Sequence, residues 1–213
     1  MGYTTRVDAH HIDLRGAIAT PHPVDFLGGL IAGLPEGRPR IVTGIAMGPV
    51  RVEVRRQDAA PRGVAGRWED VVEASCLAVG AHVLAAGQYD DAPDPRFALN
   101  PPGGEWFRLR VHARGRDLEY DLVAAVPREE YLLVAWPEAP SPPAVLSAHS
   151  RTAQQLTVAQ ARRRPPADGA PAADAARIAR RGLTDADARQ EAQARANLLR
   201  VERQHRKGGR DGG

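Results

Sequence analysis

Lysine is almost missing from this chain: Lys207 stands alone against 28 arginines. Beside 21 Gly and 18 Pro, that skew points to a G- and C-rich genome. The choice of Arg over Lys at any one position therefore carries no functional message. Cysteine is equally scarce. Cys76 is the only one, which excludes an intrachain disulfide and makes a reducing cytosol the expected setting. No apolar run approaches the roughly 18 residues needed to cross a bilayer. The opening MGYTTRVDAHHIDLRG lacks the apolar core of a signal peptide. Arg6 also stands where a myristoylation signal requires Ser or Thr. A soluble, cytoplasmic protein without a membrane partner is expected. Aromatics make up only 5% of the chain, and residues 151–213 contain no Phe, Tyr or Trp that would stack on nucleic-acid bases.

What is present is unevenly distributed. Residues 1–150 hold 15 Arg against 19 Asp plus Glu, a net −4. Residues 151–213 hold 14 basic side chains against 7 acidic ones, a net +7. An acidic body is followed by a basic tail. In the body, Val50, Val52 and Val54 alternate with Arg51, Glu53 and Arg55, the period of a half-buried strand. Residues 4–16 read as two short strands or one bent strand, and 39–57 as strand with a bulge or break near Gly44 and Gly48-Pro49. Residues 68–87 read as two strands about a turn at Gly80; further strands are expected at 105–115, 119–126 and 130–137. Turn-rich punctuation such as DDAPDPRFALNPPGG (90–104) separates them. The expected fold is mainly β, an antiparallel β-sandwich or open barrel spanning residues 1–150. A helix over 23–34 also fits the spacing of Phe26, Leu27, Leu30, Ile31 and Leu34, although Gly28 and Gly29 weaken it.

The tail reads differently. Residues 151–182 form an Ala/Arg/Pro-rich mobile linker with too few large apolar groups to offset chain entropy. Residues 183–208 read as a C-terminal helix capped by Thr184, with acids in its first turns and Arg200, Arg203, Arg206 and Lys207 near its end.

Three segments of the body, RWEDVVEAS (67–75), WFRLRVHARGRD (106–117) and YLLVAWPEAP (131–140), together resemble a group of uncharacterised actinobacterial proteins. There a Trp-acidic-acidic-Val-Val-Glu strand, an aromatic-Arg-x-Arg-Val strand and a Leu-Leu-x-x-Trp-Pro strand recur in this order. The resemblance covers roughly residues 40–150 and implies a compact, cytoplasmic, β-rich domain. It implies no activity.

The most conspicuous candidate surface is in WFRLRVHAR. Arg108, Arg110, His112 and Arg114 share one parity and Phe107, Leu109, Val111 and Ala113 the other. With Trp106 at the strand end, the basic stripe would suit an acidic partner or a phosphate backbone. The alternative is structural: each Arg pairs across the sheet with Glu53, Glu73 or Glu119, which the acidic body favours. In the tail, Arg162, Arg163, Arg164, Arg200, Arg203, Arg206 and Lys207 are candidate nonspecific nucleic-acid contacts.

Motifs for catalysis are lacking. Asp8 and His10 share one strand face while His11 points the other way, and His22 lies apart. No His-x-x-x-His or Cys-x-x-Cys spacing suggests a metal, and no phosphate loop or nucleophile elbow suggests a cofactor or hydrolase. The sequence favours a non-catalytic module that binds a protein partner, of the immunity, inhibitor or regulatory-adaptor kind. A nucleic-acid-associated protein using its basic tail is one alternative. A hydrolase assembled near His10 and His11 is the other.

Overall fold

The computed structural model describes residues 2–19, 26–33, 38–64, 66–91, 93–102 and 106–163. Eleven strands and one α-helix account for most of them. In chain order the strands are β1 (Gly2–Val7), β2 (His11–Arg15), β3 (Ala17–Ala19), β4 (Ile31–Gly33), β5 (Pro39–Val42) and β6 (Gly48–Arg56). They continue with β7 (Asp70–Ala78), β8 (Leu84–Gly87), β9 (Trp106–Arg114), β10 (Glu130–Pro137) and β11 (Ala144–Ala148), and α1 (Arg151–Arg163) follows. A curled seven-stranded sheet runs β1-β6-β10-β9-β7-β11, with β3 also paired to β7. A second sheet of order β4-β5-β2-β8 packs against it. The mainly β expectation holds, and the large sheet is mixed because β6 and β10 run parallel.

Period-two patterning explains how the sheets meet. Val50, Val52 and Val54 of β6 face inward with Tyr131, Leu133 and Ala135 of β10 and with Phe107, Leu109 and Val111 of β9. Ile12, Leu14, Ile31, Ile41 and Ala85 of the small sheet close the other side of this core. Cys76 lies within it, and burial pushes its thiol pKa up to about 12, as expected of an inert core residue.

Three local expectations are corrected. Residues 27–33 form a bridge, a turn and strand β4 rather than helix, because Gly28 and Gly29 adopt φ of +54° and +63°. A side chain at Gly29 would also stand 2.6 Å from the Ala153 carbonyl oxygen, so this turn is fitted to α1. Residues 119–126 are not a strand. They belong to an irregular β9–β10 connection whose Val123 bridges Met47.

The third correction concerns Arg151–Arg163, which is helix where the sequence suggested the start of a linker. Two acceptors start this helix. Ser150 Oγ accepts the Ala153 N–H at 2.9 Å, the usual N-cap bond. Asp117, far away in sequence, accepts the backbone N–H groups of Arg151 and Thr152 at 2.8 and 2.9 Å. These bonds and the neighbouring Arg151 charge hold the Asp117 carboxyl below its usual pKa, against a desolvation that raises it. The cap is set by tertiary structure, which a local reading of residues 151–163 does not reveal. The rest of the proposed linker and the 183–208 helix, with Arg164, Arg200, Arg203, Arg206 and Lys207, lie outside the described residues, as does His22.

Leu109 is fully buried at the middle of β9, flanked by β7 and β10. Leu109→Ala is expected to cost about 2–5 kcal/mol in denaturant unfolding. A loss under about 1 kcal/mol would contradict this packing.

Candidate interaction surface

The basic stripe of β9 does face away from the main core, but it is covered. Arg108, Arg110 and His112 are buried, and only Arg114 is appreciably exposed. Two loops fold over that side of the sheet. Residues 57–64, after β6, bring the carbonyls of Pro61 and Gly63 to the Arg110 guanidinium at 3.3 and 2.8 Å. Residues 138–143, between β10 and β11, bring the carbonyls of Ser141 and Pro142 to Arg108 at 2.9 and 2.8 Å. Glu73, on β7 beside both arginines, accepts from Arg110 Nε at 2.6 Å and from Arg108 at 3.4 Å.

The stripe is thus the polar half of a second, small core. Trp68, Val71, Leu132, Val134 and Trp136 are its apolar half. The Arg110 guanidinium lies 5.6 Å from the centre of the Trp136 ring, and Arg114 lies 5.5 Å from that of Trp68. His112 stands 5.5 Å from Trp68, and its Nδ1 is 3.0 Å from the Leu132 carbonyl, which only a protonated nitrogen can satisfy. Arg114 pairs with Glu130 at 2.5 Å. Trp106 is half-buried against Ile18 and Leu77. Arg108, Arg110 and His112 are therefore not presented to a partner. Glu73 and Glu130, rather than Glu53 or Glu119, neutralise the arginines.

The histidines near the start of the chain diverge. His10 Nε2 lies 3.0 Å from Asp121 in the β9–β10 connection, whereas His11 Nδ1 lies 2.5 Å from the carbonyl of Ala9. The structure does not bring them together with Asp8 and Asp13 around one point. Among the described residues, no three His, Cys, Asp or Glu side chains are placed to hold a metal ion. Arg162 and Arg163 fall in the last turn of α1.

A different surface stands out, and the sequence reading missed it. Of the twelve large apolar side chains exposed among the described residues, five lie on the β9–β10 connection: Leu118, Tyr120, Leu122, Val123 and Val126. A sixth, Met47, forms the bridge to Val123. Val123 is 73% exposed and Leu118 63%. Such a concentration is unusual on a surface that only meets water.

The connection is held at many points. Backbone N–H groups of Asp121 and Ala124 donate to the carbonyls of Gly44 and Met47 at 2.9 and 2.8 Å, and Ala46 N–H donates back to Leu122 at 2.9 Å. Gly44 is needed at this contact, because a Cβ there would lie 1.9 Å from the Arg116 carbonyl oxygen. At the start of the connection, Arg116 is wholly buried and donates to Asp70 Oδ2 at 2.8 Å and to the Gly29 carbonyl at 2.6 Å. At its end, buried Glu129 accepts from the N–H groups of Gly44 and Ile45 at 3.1 and 2.6 Å, and from the Tyr131 hydroxyl. Burial raises the Glu129 pKa, although these bonds and the Arg116 charge favour its ionised form. Asp117, Glu119 and Asp121 sit among the apolar groups, with Arg128 3.5 Å from Glu119. The result is an apolar ridge with an acidic margin on an anchored backbone.

No protein-family model matches the chain, and no curated protein or solved structure matches it either.

Two measurements check the buried layer. Arg110→Ala leaves Glu73 short of its closest partner and is expected to cost about 3–5 kcal/mol, the range for breaking a buried pair. A loss under about 1 kcal/mol in chemical unfolding would return Arg110 to a solvated face. Burial, then the charges of Arg110 and Arg55, hold the His112 pKa below its ordinary value of 6.5. Its contribution to stability is therefore complete above about pH 6.5 and is lost as the pH falls below that value. The His112 ring resonances should titrate with a midpoint below 6.5, and a midpoint at or above it would contradict the burial.

Proposed function

We propose that this protein is a non-catalytic binding module that docks another protein on the β9–β10 connection. The observation carrying this reading is the ridge of Leu118, Tyr120, Leu122, Val123, Val126 and Met47, exposed on a backbone fixed by hydrogen bonds. A fixed apolar surface loses little conformational entropy on binding and gains the burial of its side chains. Asp121, 70% exposed beside the ridge, favours a partner that is apolar at the centre of its contact and basic at the rim. Steering of a basic partner is also consistent with the net −4 of residues 1–150. An immunity or inhibitor protein, or a regulatory adaptor acting in the cytoplasm, fits this description. No helix among the described residues is long and apolar enough to cross a membrane.

The net +7 of residues 151–213 supports a second, separable contact with nucleic acid. The two contacts differ in what disrupts them. Leu122→Asp with Val123→Asp alters two side chains that are 58% and 73% exposed, so stability should change by only about 0.5 kcal/mol. In affinity capture from native lysate, the full-length double variant should lose the proteins that the wild type retains. It should keep any retention on duplex DNA, and that retention should weaken steeply between about 50 and 200 mM salt. Recovery of the same proteins by both forms, with unchanged yield, would overturn the ridge as the docking surface.

A further inference from the structure

The chain itself contains a segment of the chemistry that the ridge favours. Residues 164–213, beyond α1, hold five large aliphatic side chains in their sequence. Ile178 and Leu183 stand apart, whereas Leu198, Leu199 and Val201 fall within four positions. Arg200 stands among these three, and Arg203, Arg206 and Lys207 follow. Glu202 is the only acid between Ala192 and Arg210. Residues 198–207 therefore combine the tail's one aliphatic cluster with a net charge of +3.

The ridge offers the matching surface. Asp121 stands 70% exposed between Tyr120 and Leu122, and among the described residues its side chain meets His10 but no Arg or Lys. Its presentation involves strain. Ala9, His10 and Asp121, with φ of +50°, +68° and +60°, are the only non-glycine residues of positive φ among those described, and they meet at this contact. Backbone bonds from Asp121 to Gly44 and from His10 to Ala46, at 2.9 and 3.1 Å, hold the arrangement. A carboxylate fixed in this way beside exposed Leu122 and Val123 is placed to take a cation from whatever covers the ridge.

The chain also leaves the described fold close to this surface. The first turn of α1 is bonded to Asp117, next to Leu118 at the start of the ridge. The 13 residues of α1 carry the chain roughly 20 Å from there. The 34 residues from Arg164 to Asn197 can span roughly 110 Å at full extension, so reach does not limit a return. Tethering sets the effective concentration, and a contact too weak to form between separate molecules can still occupy the ridge. Resting on the reading of the ridge as a docking surface, we propose that residues 198–207 of the same chain cover it when no partner is bound. Leu198, Leu199 and Val201 then lie on Leu118, Leu122 and Val123, with the neighbouring arginines toward Asp121. A partner protein has to displace this cover, so the tail sets a threshold for docking.

The test is paramagnetic broadening in the full-length protein. Cys76 is buried and its thiol pKa is pushed up to about 12, so a spin label reacts with Gln204→Cys alone. The amide signals of Asp121 and Ala124 should then lose intensity. The Trp106 indole signal, roughly 25 Å away at the other end of β9, should keep its own. The loss should persist when labelled chains are diluted into unlabelled ones. Leu198→Asp with Leu199→Asp, outside the described fold, should restore both amides, and so should Leu122→Asp with Val123→Asp. Full intensity in the wild type would overturn the proposal, as would a loss that survives Leu198→Asp with Leu199→Asp. Loss only between separate chains would also overturn it, because the cover would then be a second copy. If the tail leaves the amides unaltered while Leu122→Asp with Val123→Asp still loses the captured proteins, this inference fails and the docking reading stands. If the tail broadens the amides but that capture is unchanged, the contact stands and the docking reading fails.

Discussion

One ion pair organises the meeting of distant parts of this fold. Arg116 and Asp70 are both without solvent exposure, 2.8 Å apart, at the end of the large sheet where β7 begins and β9 has just ended. Asp70 accepts two further bonds, from the Ser150 N–H at 3.0 Å and its hydroxyl at 2.6 Å. Arg116 reaches the Gly29 carbonyl with its other arm. Four segments converge here: the start of β7, the β9–β10 connection, the turn before β4, and the residue that caps α1. Against apolar side chains of equal volume, a buried pair of this kind adds little net stability. What it supplies is direction: the bonds from Arg116 to Asp70 and Gly29 and from Ser150 to Asp70 need those four segments in this arrangement, while Arg116 Nε stays without a hydrogen bond.

The proposed docking ridge depends on that arrangement. Arg116 and Asp117 are adjacent and act in opposite directions: one ties the connection inward to the sheet, and the other accepts the first N–H groups of α1. The chain then emerges with its apolar side chains outward and its backbone bonded to residues 44–47. Glu129 closes the far end with its bonds to Gly44 and Ile45. A fifteen-residue excursion, from Gly115 to Glu129, is thus tied by its backbone to residues 44–47 without being a strand. By contrast, the arginines of β9 are consumed internally, holding two loops onto the sheet through backbone carbonyls and Glu73. Among the described residues, the charges of β9 are largely buried and paired, whereas the exposed side chains of the proposed ridge are mostly apolar.

The period-two signals in Val50–Val54 and Phe107–Ala113 made the main core legible in the sequence, and with it the fold class. The parity of the β9 arginines was legible too. What covers them was not, because residues 57–64 and 138–143 have no periodicity that would announce them as lids. Residues 119–126 resemble a strand in sequence because Tyr120, Val123 and Val126 are residues that strands favour, whereas their course is set by buried Arg116 and Glu129 on either side. The start of α1 is hidden for a similar reason: beside the Ser150 cap, its first two N–H groups are accepted by Asp117, thirty-four residues before Arg151. Each of these misses lies where long-range polar contacts, not local pattern, decide the backbone.

Hydrogen exchange in the wild type and in Asp70→Asn tests this account most directly. In the wild type the amides of Asp121, Leu122 and Ala124 should be protected despite their exposed side chains, together with those of Leu30 and Ala153. Asp70→Asn removes the charge that Arg116 answers and should cost about 3–5 kcal/mol. Exchange should then accelerate jointly in the turn before β4, the β9–β10 connection and the first turn of α1. Rapid exchange of the connection in the wild type, or acceleration confined to β7 in the variant, would contradict the claim that this pair holds the ridge in place.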